Sequence, residues 1–277
     1  MKRKETVHAI VRTVIIGVIA IVFLLPLLWM LSASVKLPAD VMTYPVDWIP
    51  DEIQWSNYMR IWTDDQAPFT RLYWNSLIVT VISLVGQLLF ASMAAYAFAK
   101  LQFRGKNAVF MMLLASMMIP TEATIIPQFM LFKTIGLYDN LTAIILPSWF
   151  NVTTIFLLRQ FYMSLPDSLM EAAKIDGASH LKIWWTIYMP LTKSALVSAG
   201  ILAFITTWNQ YLQPLIMLVS EANYTIPLGI RFWLVDDARE YNMVMAAAAS
   251  AIIPIIIVVT ICQKHIVEGI ATSGTKE

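Results

Sequence analysis

The chain has 277 residues, of which 58% are hydrophobic and 13% charged, against about 25% charged in an ordinary soluble domain; a water-soluble globule is excluded. With 19 Lys+Arg against 18 Asp+Glu the formal net charge is +1, so no electrostatic surplus exists to hold nucleic acid or a highly anionic partner. The single cysteine, Cys262, forms no internal disulfide, and His8, His180 and His265 are too scattered for metal ligation, which removes disulfide scaffolds and zinc enzymes.

A helix needs about 20 apolar residues to cross a bilayer core of about 30 Å. Six runs approach that length. The first, Thr13 to Val35, follows Lys2, Arg3 and Lys4 and is longer than the core of a secretory signal, so it is read as a retained helix. The second is Leu72 to Ala99. The third, Asn107 to Phe132, holds one acid, Glu122, between Pro120 and Pro127, and each proline removes a helix hydrogen bond, so a broken or kinked span is expected. Asn140 to Leu158, Ser194 to Ser220 and Tyr241 to Gln263 complete the set.

Basic residues set the orientation. An inside N-terminus puts 13 of the 19 Lys and Arg on the cytoplasmic side and leaves Lys36, Arg60, Arg71, Lys133, Arg231 and Arg239 outside among acids such as Asp139, Asp236 and Asp237. Six spans then return the C-terminus to the cytoplasm. The division is residues 1–35 for the N-terminal segment and first span, 36–71 for an outer loop, 72–265 for the transmembrane core with an inner loop at 159–193, and 266–277 for a cytoplasmic tail. The outer loop carries Trp48, Trp55 and Trp62 with Pro45 and Pro50, suited either to interface anchoring or to partner contact. The outer loop Glu221 to Glu240 is polar.

The inner loop is the most informative. Ser164 followed by Asp167 resembles a capping-box start, Leu165 to Ile175 is rich in helix formers, and Gly177 suits the position after the helix. In the next segment Leu181, Trp184, Trp185 and Tyr188 fall at i, i+3, i+4 and i+7, predicting one apolar stripe along the membrane that Pro190 ends. Ala172, Ala173 and Gly177 are small residues at the bend, which permit close approach of another protein.

At these residues the chain resembles the permease subunits of bacterial ATP-binding-cassette (ABC) importers. Their Glu-Ala-Ala motif stands here as Glu171-Ala172-Ala173, Gly177 follows after three residues, and Ile187-Tyr188-Met189-Pro190 after nine more, with Met189 in place of leucine. Asp176-Gly177-Ala178, the Trp208-Asn209 pair and the ending from Gln263-Lys264-His265 through Gly269 to Gly274-Thr275-Lys276-Glu277 are similar to the shorter six-span subunit of the carbohydrate-uptake subfamily, of maltose and glycerol-phosphate type. That subunit commonly ends Gly-x-Lys-Gly and has an aromatic at the place of His265; both differ here. The resemblance implies an all-α type I importer transmembrane domain in the bacterial inner membrane, with a coupling helix carrying Glu171, Ala172, Ala173, Asp176 and Gly177. It also implies a second permease subunit, two ATPase subunits that bind ATP and Mg, and an extracytoplasmic binding protein.

No phosphate-binding loop occurs; Gly105-Lys106 is followed by Asn107 and lacks the upstream glycine. The chain therefore does not hydrolyse ATP by that route and needs no cofactor of its own. A polar path is expected where Thr206, Asn209, Gln210 and Gln213 fall at i, i+3, i+4 and i+7, which would face a neutral polyhydroxylated solute, with Trp208 or Tyr211 stacking on a sugar ring. Interhelical hydrogen bonding explains the same stripe equally well, and is favoured for Ser76, Thr80, Ser83 and Gln87. Glu122, counted along a straight helix from Asn107, falls toward the outer surface. An intramembrane enzyme would need paired acids or a nucleophile with its base, and a secondary transporter several in-span charges and internal repeats; neither pattern is present. The solute class implied is a sugar or oligosaccharide, the alternative a sugar derivative such as a glycerophosphodiester.

Overall fold

A computed structural model describes the backbone of residues 2–64, 69–234 and 240–274, and the side chains of residue 8 and of 10–64, 69–234 and 240–263. Asp65, Asp236, Asp237, Arg239 and the ending Thr275-Lys276-Glu277 lie outside the described residues, as do the side chains of Lys2, Arg3, Lys4, Lys264, His265 and Gly269. The described residues are helical with no strand, in line with the all-α expectation.

Among the described residues, four helices are long and apolar enough to cross a membrane: Ile10–Ser34 within α1 (Lys2–Ser34), α3 (Phe69–Lys100), Thr142–Ser164, and Tyr241–Gln263 within α14 (Tyr241–Gly274). Two bent pairs raise the number to six if each is one span. The first pair is α4 (Lys106–Ser116) and α5 (Thr121–Thr134), bent by 99°. The break expected of this run lies at Met117 to Pro120, ahead of Pro127, which sits inside α5. Pro120 is extended at φ −64°, ψ 139° and disfavours a helical Ile119 before it. The other pair is His180–Leu191 with α11 (Lys193–Trp208), bent by 81°.

Thr142–Ser164 is itself α6 (Thr142–Ser148) and α7 (Val152–Ser164), parted at Trp149 to Asn151. Asn151 restarts the helix by accepting the Thr154 N–H at 2.9 Å, satisfying one donor of the new N-terminus.

The chain folds into two compact units. One comprises residues 1–70 and 229–253. Within it, α2 (Ser56–Thr63) is fixed by the buried Asn57, whose amide donates to the carbonyls of Ser34 at 3.0 Å and Lys36 at 2.9 Å and whose oxygen accepts from Asn242 at 3.2 Å. Arg60 pairs with Glu240 at 2.7 Å. The 36–64 segment is thus ordered by its own polar contacts, while Trp48, Trp55 and Trp62 remain exposed.

The second unit comprises residues 71–228 and 254–277. An apolar cluster gathers Ala91, Ala95, Tyr96, Leu158, Tyr162, Ile183, Trp184 and Tyr188 around the cytoplasmic half expected for α3. A second, smaller cluster joins Phe132, Ala143 and Met217. Along α3 the stripe Ser76, Thr80, Ser83 and Gln87 is buried; Gln87 donates to Thr154 at 2.8 Å and Ser76 accepts the Ile226 N–H at 2.8 Å, whereas the Thr80 and Ser83 hydroxyls are buried without a hydrogen-bond partner among the described residues, so bonding between elements accounts for the two ends of the stripe and not for its middle.

Asp139, with φ 56°, joins two loops of this unit. Its carboxylate accepts the N–H groups of Val219 and Ser220 at 2.9 Å, the Ser220 hydroxyl, and the Asn223 amide at 3.3 Å. Burial would raise this carboxyl, but the four donors outweigh it and hold it at about 2. Its contribution is complete above the ordinary carboxylate range and is lost only as pH falls toward that value.

Candidate functional site

The inner loop begins where Leu165 stands extended at φ −79°, ψ 142°, the conformation a following proline imposes, and here Pro166 follows. The expected helix start at Ser164 is therefore incorrect. Ser164 ends α7 and bonds back to the Phe161 carbonyl at 2.7 Å, and α8 runs from Ser168 to Ile175. At the other end the reading holds: Gly177 has φ +74°. Its N–H reaches the Lys174 carbonyl and the Ala178 N–H the Ala173 carbonyl, both at 3.0 Å. This paired closure satisfies carbonyls that the helix end leaves open.

Around that bend Glu171, Ala172, Asp176 and Gly177 are exposed. Ala173 is not; it is 8% exposed and packs in the tyrosine-rich cluster, so its small size serves the fold rather than an outer contact. Ile175, at the tip, is 87% exposed. A bare isoleucine on a rigid, polar-rimmed helix is the one residue of this face that sequence reasoning overlooked. Only its burial, not its type, distinguishes it.

The apolar stripe predicted from 181 to 188 divides. Trp184 and Tyr188 are buried, whereas Leu181 and Trp185 are exposed by 64% and 58%. The cause is that α9 (His180–Ile183) opens into a π-helix over Trp184–Tyr188 before α10 (Met189–Leu191), and the wider turn shifts the angular register. Pro190 has no N–H to return to the Thr186 carbonyl, and the Met189 N–H reaches instead to Trp184.

The cluster is tied together by polar groups of α3. Ser92 bonds the Tyr162 hydroxyl at 2.6 Å and accepts from the Trp184 indole at 2.9 Å. Tyr96 meets His180 Nδ1 at 3.2 Å. Lys100, the last residue of α3, donates from Nζ to the Leu165 carbonyl and to Asp167 Oδ1, both at 2.6 Å. That bond holds the Asp167 carboxyl below the usual carboxylate range.

The stripe at 206–213 is not one helical face. The helix α11 ends at Trp208 and α12 spans Leu212–Met217. Pro214 lies in the first turn of α12, where its missing N–H has no intrahelical partner in any case, whereas a continuous helix would have placed it in the interior. Thr206 and Asn209 are exposed, with Thr206 Oγ1 bonded to Leu202 O at 2.9 Å and Asn209 Nδ2 to Ile205 O at 2.8 Å. Gln210 donates to Gln213 at 2.5 Å, and Gln213 to the Ala143 carbonyl at 3.1 Å, so these two glutamines form an interhelical network. Trp208 is 3% exposed, stacked on Phe204 with its centroid at 5.7 Å and edge-on to Tyr73 at 5.7 Å. It is a core residue without a free face for a sugar ring; Tyr211, by contrast, is 45% exposed. Glu122 is exposed in the first turn of α5, where the helix dipole favours an acid. The bend ahead of it removes the straight-helix count by which it was expected toward the outer surface.

The family described as binding-protein-dependent transport system inner membrane component matches residues 87–272, a stretch that includes the inner loop, the break at 209–211 and the C-terminal part of α3. The chain belongs to that family. Along its full length it is 32% identical to the arabinooligosaccharides transport system permease protein AraQ of Halalkalibacterium halodurans, over 283 residues and 100% of both chains. It is 33% identical over 265 residues to the sn-glycerol-3-phosphate transport system permease protein UgpE of Yersinia enterocolitica, covering 94% of each. A crystal structure of a bacterial ABC transporter involved in the import of the acidic polysaccharide alginate superposes with a TM-score of 0.83 at 30% identity, over 95% of this chain and 97% of that one. The protein is thus an ABC transport permease, a membrane component of a transporter rather than an enzyme.

Proposed function

We propose that this permease forms half of the translocation path for a sugar or oligosaccharide and couples that path to ATP hydrolysis by a separate subunit. Full-length similarity to an arabinooligosaccharide permease carries the solute class. Support from the chain itself is that the groups exposed at the break after α11, Thr206 and Asn209, are a hydroxyl and an amide, which suit a neutral polyhydroxylated solute, with Tyr211 beside them. A sugar phosphate would want a cation there, and residues 206–213 contain none.

In this reading each bent pair is one span, giving six, with both termini in the cytoplasm. Reporter fusions after residues 105, 180 and 277 should report cytoplasm and those near 55, 138 and 235 the outside; an outside signal at 180 would remove both the topology and the role of the inner loop. The helix α8 is the coupling helix, seated in a groove of the ATPase through Glu171, Ala172, Ile175, Asp176 and Gly177. A second permease subunit, two ATPase subunits holding ATP and Mg, and an extracytoplasmic binding protein complete the assembly.

The deciding experiment is uptake of labelled arabinotriose by proteoliposomes containing the full complex. Transport should disappear when either the ATPase subunit or the binding protein is omitted. Uptake that persisted without the ATPase would instead identify a secondary transporter. At the path itself, Asn209→Leu should lower uptake about tenfold or more while assembly stays normal, since losing one hydrogen bond to a polar solute is worth about 1 to 2 kcal/mol. Poor assembly with normal uptake per complex would assign Asn209 to helix packing.

A further inference from the structure

One buried charge in the second unit has no part in the path or in the docking face. The Lys100 side chain is 3% exposed, yet its partner Asp167 is 70% exposed. Its ammonium is bound at 2.6 Å to the Leu165 carbonyl, at 2.6 Å to Asp167, and lies 5.7 Å from the centre of the Tyr188 ring. Those three residues belong to three separate pieces of the inner loop: the exit from α7, the residue before α8, and the π segment that follows α9. Asp167 makes no capping bond to α8; its carboxylate is turned to Lys100 instead.

A lysine at the cytoplasmic end of a span ordinarily extends into water, because burying its charge is costly without excellent partners. Here the cost is met by one carboxylate, one carbonyl and one aromatic face, and the result is that α8 is fastened to the end of α3. Toward its other end α3 is fastened again: the Asn75 amide donates to the carbonyls of Ala222 at 2.8 Å and Tyr224 at 2.9 Å. From Asn75 to Lys100 the helix is unbroken, and the span between them is about 37 Å at the rise of an α-helix.

We infer that Lys100 is a positioning residue that pins the coupling loop to α3, so that displacement of α8 is passed along α3 to the segment around Ala222 and Tyr224. The inference rests on the reading of α8 as the ATPase contact. A rigid rod fixed at both ends transmits movement that a solvated loop would absorb, and Lys100 supplies the charge-assisted bond at the inner end.

The test uses the full complex in proteoliposomes, with Cys262→Ser and Ala222→Cys so that one thiol reports on the far segment. A photoreactive side chain at position 175 reports contact between α8 and the ATPase. In the parent, Mg-ATP with vanadate should change the labelling rate of the thiol at 222. In Lys100→Met, which keeps the aliphatic stem but removes charge and donors, that change should shrink about fivefold or more, while the cross-link from 175 persists. Lys100→Arg should restore most of the response. If Lys100→Met does not assemble, Asp167→Asn, which alters only the exposed partner, should give a smaller loss of the same response. An undiminished response in whichever of the two assembles, with the cross-link intact, overturns the pin alone. A parent without the cross-link overturns the docking reading and the pin with it, and a parent with the cross-link but no response at 222 overturns the lever.

Discussion

Gly177→Val should abolish uptake and substrate-stimulated ATP hydrolysis while the chain still inserts and assembles in normal amount. A Cβ at 177 would meet nothing within 4 Å among the described residues, so the branch point itself meets no neighbour. What the variant strains is the backbone. Gly177 sits at φ +74°, where an ordinary L-residue costs about 1 to 2 kcal/mol and a β-branched one stands at the upper end. Relief of that strain means giving up the paired closure to Lys174 and Ala173, and with it the fixed angle between α8 and α9. Because α8 has only eight residues, it has no stability of its own to hold that angle. Asparagine tolerates the left-handed region, so Gly177→Asn should keep a large part of the uptake. If backbone angle is the operative quantity, valine and asparagine separate; if bulk against a partner is, they fail together. Glu171→Ala should act more mildly, since it removes one exposed charge and leaves the bend intact. Purified complexes of Gly177→Val with full stimulated hydrolysis and full transport would eliminate the bend as a coupling element.

What the sequence made legible divides along physical lines. Charge-free runs placed Ile10–Ser34, Phe69–Lys100 and Tyr241–Gln263 to within a few residues, because a bilayer leaves so little freedom in length and polarity, but the run to Leu158 stops short of the helix end at Ser164 and the run to Ser220 passes well beyond the end of α11 at Trp208. The positive-φ glycine was legible for the same kind of reason, a local steric rule. The start of α8 was also legible and was passed over: Pro166 bars a helical Leu165, and that rule outweighs the weaker capping pattern at Ser164. The break at 209–211 had a signal in Pro214, but a proline marks an interruption without saying on which side the helix resumes. The π segment had none, and the burial of Trp208 only half of one: Phe204 stands one helical turn before it and could be paired from the spacing, but Tyr73, which packs edge-on from α3, is brought there only by the fold. Lys100 is the extreme case. In sequence it is a boundary lysine, one of the basic residues that set orientation; only its contacts with residues 65 and 67 positions away reveal a buried charge.

Gly86→Ala should be among the most damaging conservative substitutions in the chain, and here sterics, not backbone angle, are the cause. A Cβ at position 86 would fall 2.0 Å from Trp149 Nε1 and 2.4 Å from Cε2, far inside contact distance and against a rigid ring rather than a flexible tip. The ring has few routes of escape. Its indole N–H is bonded to the Ile82 carbonyl at 3.2 Å, and its face is packed with Phe90 at a centroid distance of 5.2 Å. Trp149 also ends α6 just before the interruption that Asn151 closes, so pushing the ring out displaces the junction between α6 and α7. Overpacking of this kind costs about 1 to 3 kcal/mol, and losing the indole bond adds about 1 kcal/mol. The expected result is a thermal midpoint lowered by several degrees, about 2 to 4 °C per kcal/mol for a chain of this size, and a reduced monodisperse fraction in detergent. Trp149→Leu gives the control, for it removes the ring and should make Gly86→Ala nearly neutral when the two are combined. A coupling between the two positions of less than about 0.5 kcal/mol, the scatter expected of independent sites, would show that α3 and the α6–α7 junction do not meet through the face of that indole.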